Sequence, residues 1–202
     1  MRGIKQHDRV TRSYGLLEKF LAGKRAAMAN KLIPNELRRG KILDIGCGTM
    51  PYFLSHTSFQ KKFGIDPQLG RPRSEHELDL RRFDVEEGEP LPFESGYFDV
   101  VTMLAVFEHI KQPVLPILIA EVFRVLKPNG LFVLTTPCPW TDMLLKAMAR
   151  FRLVSAEEIA EHEGTYNHMV ITRFLETGGF KKEKIKLGYF ELYLNNWGVS
   201  QK

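Results

Sequence analysis

The sequence predicts an α/β fold in three layers, with helices on both faces of a mostly parallel sheet. Three observations lead there. Short apolar runs alternate with helical stretches along most of the chain, the pattern that buries a parallel sheet between helices. Two of these runs, 41–45 and 62–66, carry an acid at or beside their last residue. The first passes directly into Gly46-Cys47-Gly48-Thr49, a strand-to-helix turn with glycines one residue apart.

The elements follow in order. Residues 1–41 hold eleven Lys and Arg against three acids, so the amino-terminal fifth is strongly basic within a chain of net charge +5. Leu17, Phe20, Leu21, Lys24 and Met28 recur at i, i+3 and i+4, which predicts an amphipathic helix that Pro34 closes. Such a helix docks by its apolar stripe and turns its basic face to solvent. It can also cover a ligand, or meet an anionic substrate or a membrane surface, giving peripheral membrane contact.

Strands are expected at 41–45, 61–65, 80–85 and 98–103, with a helix near 50–57. A second helix spans about 113–126, with Pro113 suited to its first turn. Lys127-Pro128-Asn129-Gly130 reads as a tight turn into a strand at 131–135. The stretch from Thr136 to Thr172 holds Pro137, Pro139, Trp140 and a run rich in Met, Leu and Phe, and lies above the ligand edge of the sheet, the place for a substrate lid. Thr172–Glu176 reads as a last helix stopped by Gly178-Gly179. Lys181–Tyr193 alternates charged and apolar residues, as an antiparallel strand with one wet face does.

At 202 residues and 44% apolar, the chain suits one globular domain. Its two cysteines, Cys47 and Cys138, suggest no disulfide scaffold, and a reducing cytoplasm is the expected location. No apolar run is long enough for a membrane span, and no signal-type leader opens the chain. No Cys/His cluster suggests a metal.

The glycine turn points to a ligand. A Cβ there would clash with a bound molecule or forbid the backbone angles. Asp66 stands 22 residues after Asp44, the distance at which an acid receives the two hydroxyls of a ribose. An adenosine-type cofactor follows. A dinucleotide is disfavoured, because Pro51 replaces the third glycine of G-x-G-x-x-G and removes an N–H that a pyrophosphate needs. The phosphate-binding G-x-x-x-x-G-K-[ST] loop is absent.

Ile42-Leu43-Asp44-Ile45-Gly46-Cys47-Gly48-Thr49 resembles the first motif of class I S-adenosylmethionine methyltransferases, with Met50 in place of the usual third glycine. The resemblance continues in order through Gly64-Ile65-Asp66-Pro67, Arg82–Glu87, Leu91-Pro92-Phe93 with Phe98-Asp99-Val100-Val101, Phe107-Glu108-His109-Ile110, Glu121–Gly130 and Phe174–Phe180. The chain is similar to the methyltransferase type 11 group, which includes the ubiquinone/menaquinone methyltransferases. That resemblance implies a Rossmann-like three-layer sandwich whose mostly parallel sheet has seven strands and an antiparallel closing hairpin reaching about Val199. It implies one domain over 1–202: capping helices at 1–40, a cofactor half at 41–135, a lid at 136–172, and the last helix and hairpin at 173–202.

The cofactor implied is S-adenosylmethionine, with S-adenosylhomocysteine as product. Asp44 would order the turn and help receive the cofactor ammonium, while Gly46, Cys47 and Gly48 give backbone contact to its methionine part. Asp66, with Pro67 beside it, would hold the ribose. Asp84 and the Val85 N–H would read the adenine, with Asp79 a competitor if the third strand is shifted. The backbone at Met103 and Leu104 would take the ammonium, and Tyr14 would cover the cofactor.

No catalytic residue is fixed by this pattern. His109 and His168 are the candidate bases. The implied acceptor is a small or lipid-like molecule, partly apolar and anionic in tendency. Nucleic acid is not expected: Leu104-Ala105-Val106 stands where nucleobase enzymes carry an Asn/Asp-Pro-Pro-aromatic box, and Cys138 sits in an ordinary Thr-Pro context. An RNA or protein methyltransferase, supported by the basic segment alone, and a non-catalytic cofactor-binding module, suggested by Met50, are the alternatives.

Overall fold

The computed structural model describes residues 16–70, 73–75, 77–141 and 166–202. Eight strands form one sheet: β1 Lys41–Ile45, β2 Lys61–Asp66, β3 Arg73–Glu75, β4 Leu78–Arg82, β5 Phe98–Leu104, β6 Leu126–Pro137, β7 Ile185–Phe190 and β8 Asn195–Gln201. Their order is β3-β4-β2-β1-β5-β6-β8-β7. β4, β2, β1, β5 and β6 run parallel. β8 enters antiparallel between β6 and β7, forming the expected closing hairpin. The eighth strand is the addition: three residues of β3 pair antiparallel with β4 at the sheet edge.

The helices are α1 Leu16–Leu32, α2 Tyr52–Ser55, α3 Leu115–Val125 and α4 His168–Thr177. Ala26, Ala29, Phe53 and Leu54, from α1 and α2, pack with Ile42, Val100 and Val133 on one face of the sheet. Leu118, Val122, Ile171 and Leu175, from α3 and α4, pack with Leu43, Met103 and Leu134 on the other. β1 is thus buried on both faces, which is why it reads as a continuous apolar run. The chain begins its sheet at β1, builds outward through β2 to β4, then returns to β5 on the other side. That reversal between β1 and β5 is the switch point where open α/β sheets bind ligands.

Several expectations need correction. The Leu17 side chain lies outside the described ones, and the rest of the expected stripe is not the buried face of α1: Phe20 is 58% exposed and Lys24 is exposed, and the contact is made by Ala26 and Ala29, with Ile33 just beyond the helix. Small side chains let the helix lie close to the sheet, and Lys24 packs its ammonium over the outward Phe20 ring. The third strand is Leu78–Arg82 rather than 80–85, because the chain leaves the sheet before Asp84 caps a turn at Val85–Glu87. α2 is a single turn, not 50–57, with Pro51 at its N-cap. α4 starts at His168, not Thr172, because the Asn167 side chain accepts the Val170 N–H at 3.0 Å. It therefore takes the end of the segment expected as lid, whose start at Thr136–Pro137 belongs to β6.

Several motif residues act far from the switch point. Asp99 accepts the Lys41 N–H at 2.8 Å and the Lys127 ammonium at 2.7 Å, tying the entries of β1, β5 and β6 together. Arg124 pairs with Glu121 at 2.7 Å and donates to the carbonyls of Leu91 and Phe93 at 3.0 and 2.9 Å. The Leu91-Pro92-Phe93 segment is thereby stapled to α3. Phe93 then meets Phe98 edge-on at 4.9 Å. Arg38 donates to the carbonyl of Asn30 at 2.8 Å and to Thr57 at 3.0 Å, closing the end of α1.

The α3–α4 contact depends on Gly178, where a Cβ would collide with Ile119. Gly178→Ala should cost about 1–3 kcal/mol through overpacking, read as a lower denaturation midpoint with an unchanged denaturant slope.

Candidate active site

The carboxyl ends of β2, β1 and β5 meet around one buried acid. Asp44 is 4% exposed. It lies opposite Thr102 in the β1–β5 register, and the Thr102 hydroxyl donates to its carboxylate at 2.6 Å. Among the described residues no cation pairs with it. Burial pushes the Asp44 carboxyl up to about 7, against the Thr102 hydrogen bond, and the charge of Asp66 adds to the rise. A carboxylate held this way gains most from a cation brought in by a ligand.

The glycine turn is fixed by the next strand. Gly46 and Gly48 have φ of 71° and 72°, which favours glycine at both. The N–H groups of Gly46 and Cys47 donate to Ile65 O at 2.8 and 3.2 Å. A Cβ on Gly46 would collide with Val106, so the loop after β5 lies directly over the turn. The Cys47 thiol packs inward, where a Cβ on Gly64 would come within 2.8 Å of its sulfur. Burial, then the charges of Asp44 and Asp66, push that thiol up, which suits packing and opposes nucleophilic use. Met50 is 54% exposed, so its side chain lies outside this core.

Asp66 ends β2. Its carboxylate accepts the Gly48 N–H at 3.0 Å and the Gln68 N–H at 2.8 Å, one on each oxygen, which leaves lone pairs for a ligand. Pro67 follows it, exposed. On β4, Arg82 pairs with Asp66, so Asp84 stands two residues beyond the level of Asp66 at the same edge. Asp84 accepts the Glu86 N–H at 2.9 Å, and Val85 opens the turn with an N–H that a helix start leaves without an internal partner. Asp79 sits near the start of β4 and is held by Arg81 at 2.7 Å, away from this edge. Met103 and Leu104 end β5, and Ala105 follows with a left-handed φ of 56°, its N–H donating to Thr135 O at 2.9 Å. A strained residue at a ligand edge is a functional signature.

His109 closes the turn Phe107–His109, and its N–H donates to Val106 O at 2.9 Å. His168 begins α4 and stacks on Tyr189 at 4.3 Å. The two elements meet through Phe107 and Tyr166, whose rings touch edge-on at 5.0 Å. Tyr14 lies outside the described residues, as do residues 142–165 of the expected lid. A separate cleft of about 300 Å³, between Lys24, Met28 and Lys31 of α1 and Phe190 and Glu191, includes none of the glycine-turn residues. Two residues that shape the site are missing from the sequence reading. Thr102 was visible as a lone polar residue in an apolar strand. Val106 carried no signal.

A family model described as a methyltransferase domain matches residues 17–184. The chain belongs to this family. It is a class I S-adenosylmethionine-dependent methyltransferase. No curated protein matches it, but solved structures share its fold. A chain of the Haloferax volcanii complex between the Trm112 methyltransferase activator and a methyltransferase matches at TM-score 0.67 and 15% identity, covering 91% of this chain and 89% of that one. A SAM-dependent methyltransferase of Archaeoglobus fulgidus matches at 0.66 and 16%, covering 95% and 100%. Phosphoethanolamine N-methyltransferase 2 of Haemonchus contortus, solved with S-adenosyl-L-methionine, matches at 0.66 and 14%, covering 96% and 58%. No helix among the described residues of the methyltransferase is long and apolar enough to cross a membrane.

Asp44 makes the stability of the methyltransferase depend on pH. Its carboxyl is raised from 3.8 to about 7, so between those values the folded chain holds a proton that the unfolded chain has lost. Stability from this group is full below about pH 4 and is lost as pH rises through 7. Asp44→Asn should therefore stabilise the protein at pH 8, by on the order of 4 kcal/mol, with no gain at pH 4. The same variant should lose cofactor affinity at pH 8. Thermal denaturation and calorimetric titration at the two pH values check both.

Proposed function

We propose that the methyltransferase transfers a methyl group from S-adenosylmethionine to a small or lipid-like acceptor, in a site built on the edge from β4 to β6. The observation that carries this reading is the pair of carboxylates, Asp44 and Asp66, joined through one glycine turn. Asp66 accepts both ribose hydroxyls. Asp84 and the Val85 N–H meet the adenine edge. Asp44, with the backbone at Met103–Leu104, receives the ammonium, and the Gly46–Gly48 backbone lies along the methionine part.

The cofactor supplies an activated methyl on a sulfonium, so the chain has mainly to align the acceptor and exclude water. Val106 covers the glycine turn. Phe107, Tyr166 and Phe174, with ring centroids 5.0–5.9 Å apart, pack as core under the side beyond β5 and hold the turn after β5 against the start of α4. His168 is better sited than His109 to take the acceptor's proton, because its Nε2 is buried without a partner among the described residues while its ring is held on Tyr189.

The amino-terminal basic segment argues less for RNA than its charge suggests. Arg38 is spent on α1 and Thr57, and Lys41 lies 3.5 Å from the Tyr97 ring centre.

Calorimetric titration with S-adenosylmethionine and S-adenosylhomocysteine tests the reading. Wild type should bind both, and Asp66→Ala should lose on the order of 10–100-fold in affinity, the worth of charge-assisted hydrogen bonds, while staying folded. A folded wild type that binds neither contradicts it.

A further inference from the structure

Beyond β5, the sheet edge holds buried polar atoms without partners among the described residues. Asn196 of β8 is fully buried, and its side-chain nitrogen donates to Tyr166 O at 3.1 Å and to Pro137 O at 3.4 Å. Both partners are carbonyls, so the nitrogen must face them, and Oδ1 is fixed as an acceptor pointing elsewhere. No donor meets it among the described residues.

Thr136 of β6 pairs directly with Asn196. Residues paired in this way share a face of the sheet and lie about 5 Å apart at Cβ. Thr136 is 1% exposed, and its hydroxyl also has no partner. On the other side of Asn196 the register places Tyr189, on which His168 stacks.

A third orphan stands nearby. Glu108 is 2% exposed, and its Oε2 is buried without a hydrogen bond. The turn that carries it packs on β6, and its neighbour Phe107 rests on Tyr166, whose carbonyl holds Asn196. Ser200 also has an unpartnered hydroxyl, but it pairs with Phe132 deeper in the core, four residues along β8.

A buried polar atom left unpaired is costly and uncommon in folded proteins. Three of them at one end of the sheet indicate partners supplied from outside the chain. The position agrees with the proposed cofactor layout. Adenine lies toward β4, ribose at β2 and the methionine part at β1 and β5, which leaves the end of β6 and β8 for the acceptor.

We propose that Thr136, Asn196 and Glu108 form the polar end of the acceptor subsite, and that it takes a hydrogen-bond-donating group, an amine or a hydroxyl, rather than a carboxylate or phosphate. The proposal rests on the methyltransferase reading above. Asn196 Oδ1 and the Glu108 carboxylate can only accept, and among the described residues no Lys or Arg donates to any of the three. An anion would meet like charge there. An amine in its ammonium form has a proton for each acceptor, and a hydroxyl can donate to one of them while accepting from the Thr136 hydroxyl.

The test starts by saturating the protein with S-adenosylhomocysteine, measured by calorimetry. Failure at that step overturns the cofactor reading and this proposal together. Benzylamine, benzyl alcohol and benzoate, which share a ring and differ in the polar end, are then titrated by saturation-transfer NMR. The amine and the alcohol should bind at least about tenfold more tightly than benzoate. Thr136→Val removes a hydroxyl that has no partner, so it should keep the melting temperature and the S-adenosylhomocysteine affinity while weakening both donors. Glu108→Gln should weaken benzylamine more than benzyl alcohol.

Equal or tighter binding of benzoate overturns the proposal. So does the absence of probe binding to the loaded protein. Donor affinity unchanged in both variants also overturns it, and assigns the orphan atoms to internal water.

Discussion

The site turns on a charge placed where charge is costly. Asp44 sits in the central strand, buried on both faces, with one hydroxyl for company. A fold selected for stability alone would place an apolar residue there. Everything around it follows from keeping that carboxylate at the sheet edge. Thr102 orients it, and the turn that follows is held to β2 by Ile65 O and Asp66. Val106 closes over Gly46 so tightly that a methyl group has no room. A cation brought beside such a carboxylate would restore the interaction that burial removed.

The two ends of the parallel strands are built for different purposes. At the amino ends, polar side chains find partners within the chain: Asp99 with Lys41 N–H and Lys127, and Arg124 with Glu121 and two carbonyls. At the carboxyl ends, polar groups are buried and left incomplete among the described residues: Asp44 has no cation, and the Thr136 hydroxyl and Asn196 Oδ1 have no hydrogen-bond partner. This asymmetry separates polar residues that tie the chain together from those whose hydrogen bonding is left open. The resemblance motifs contain both kinds, and the hydrogen bonds divide them.

Much of this was legible in the sequence. The strand cores, the glycine turn and the positions of Asp44 and Asp66 came from local pattern, because each is dictated by short-range steric or burial rules, while the closing hairpin came from the family resemblance. What escaped depended on contacts distant in sequence. The buried stripe of α1 was misjudged because alanines, not the large apolar residues, face the sheet, and pattern alone weights size. Asp84 was assigned to a strand but caps the turn that follows it. The Thr136–Asn196 row needs the β6–β8 register, which joins residues 60 positions apart. Thr102 needs its pairing with Asp44 before a lone threonine gains meaning.

The central claim, that Asp44 is a buried carboxyl held ready for a cofactor cation, is tested most directly by carbon-detected NMR titration of the Asp44 carboxyl in the free protein and in the protein saturated with S-adenosylhomocysteine. The account predicts a midpoint near 7 in the free protein, as burial dictates, and a midpoint lower by at least about one unit when the ligand ammonium is bound. A free midpoint near 4, or one that saturation leaves unmoved, would contradict it.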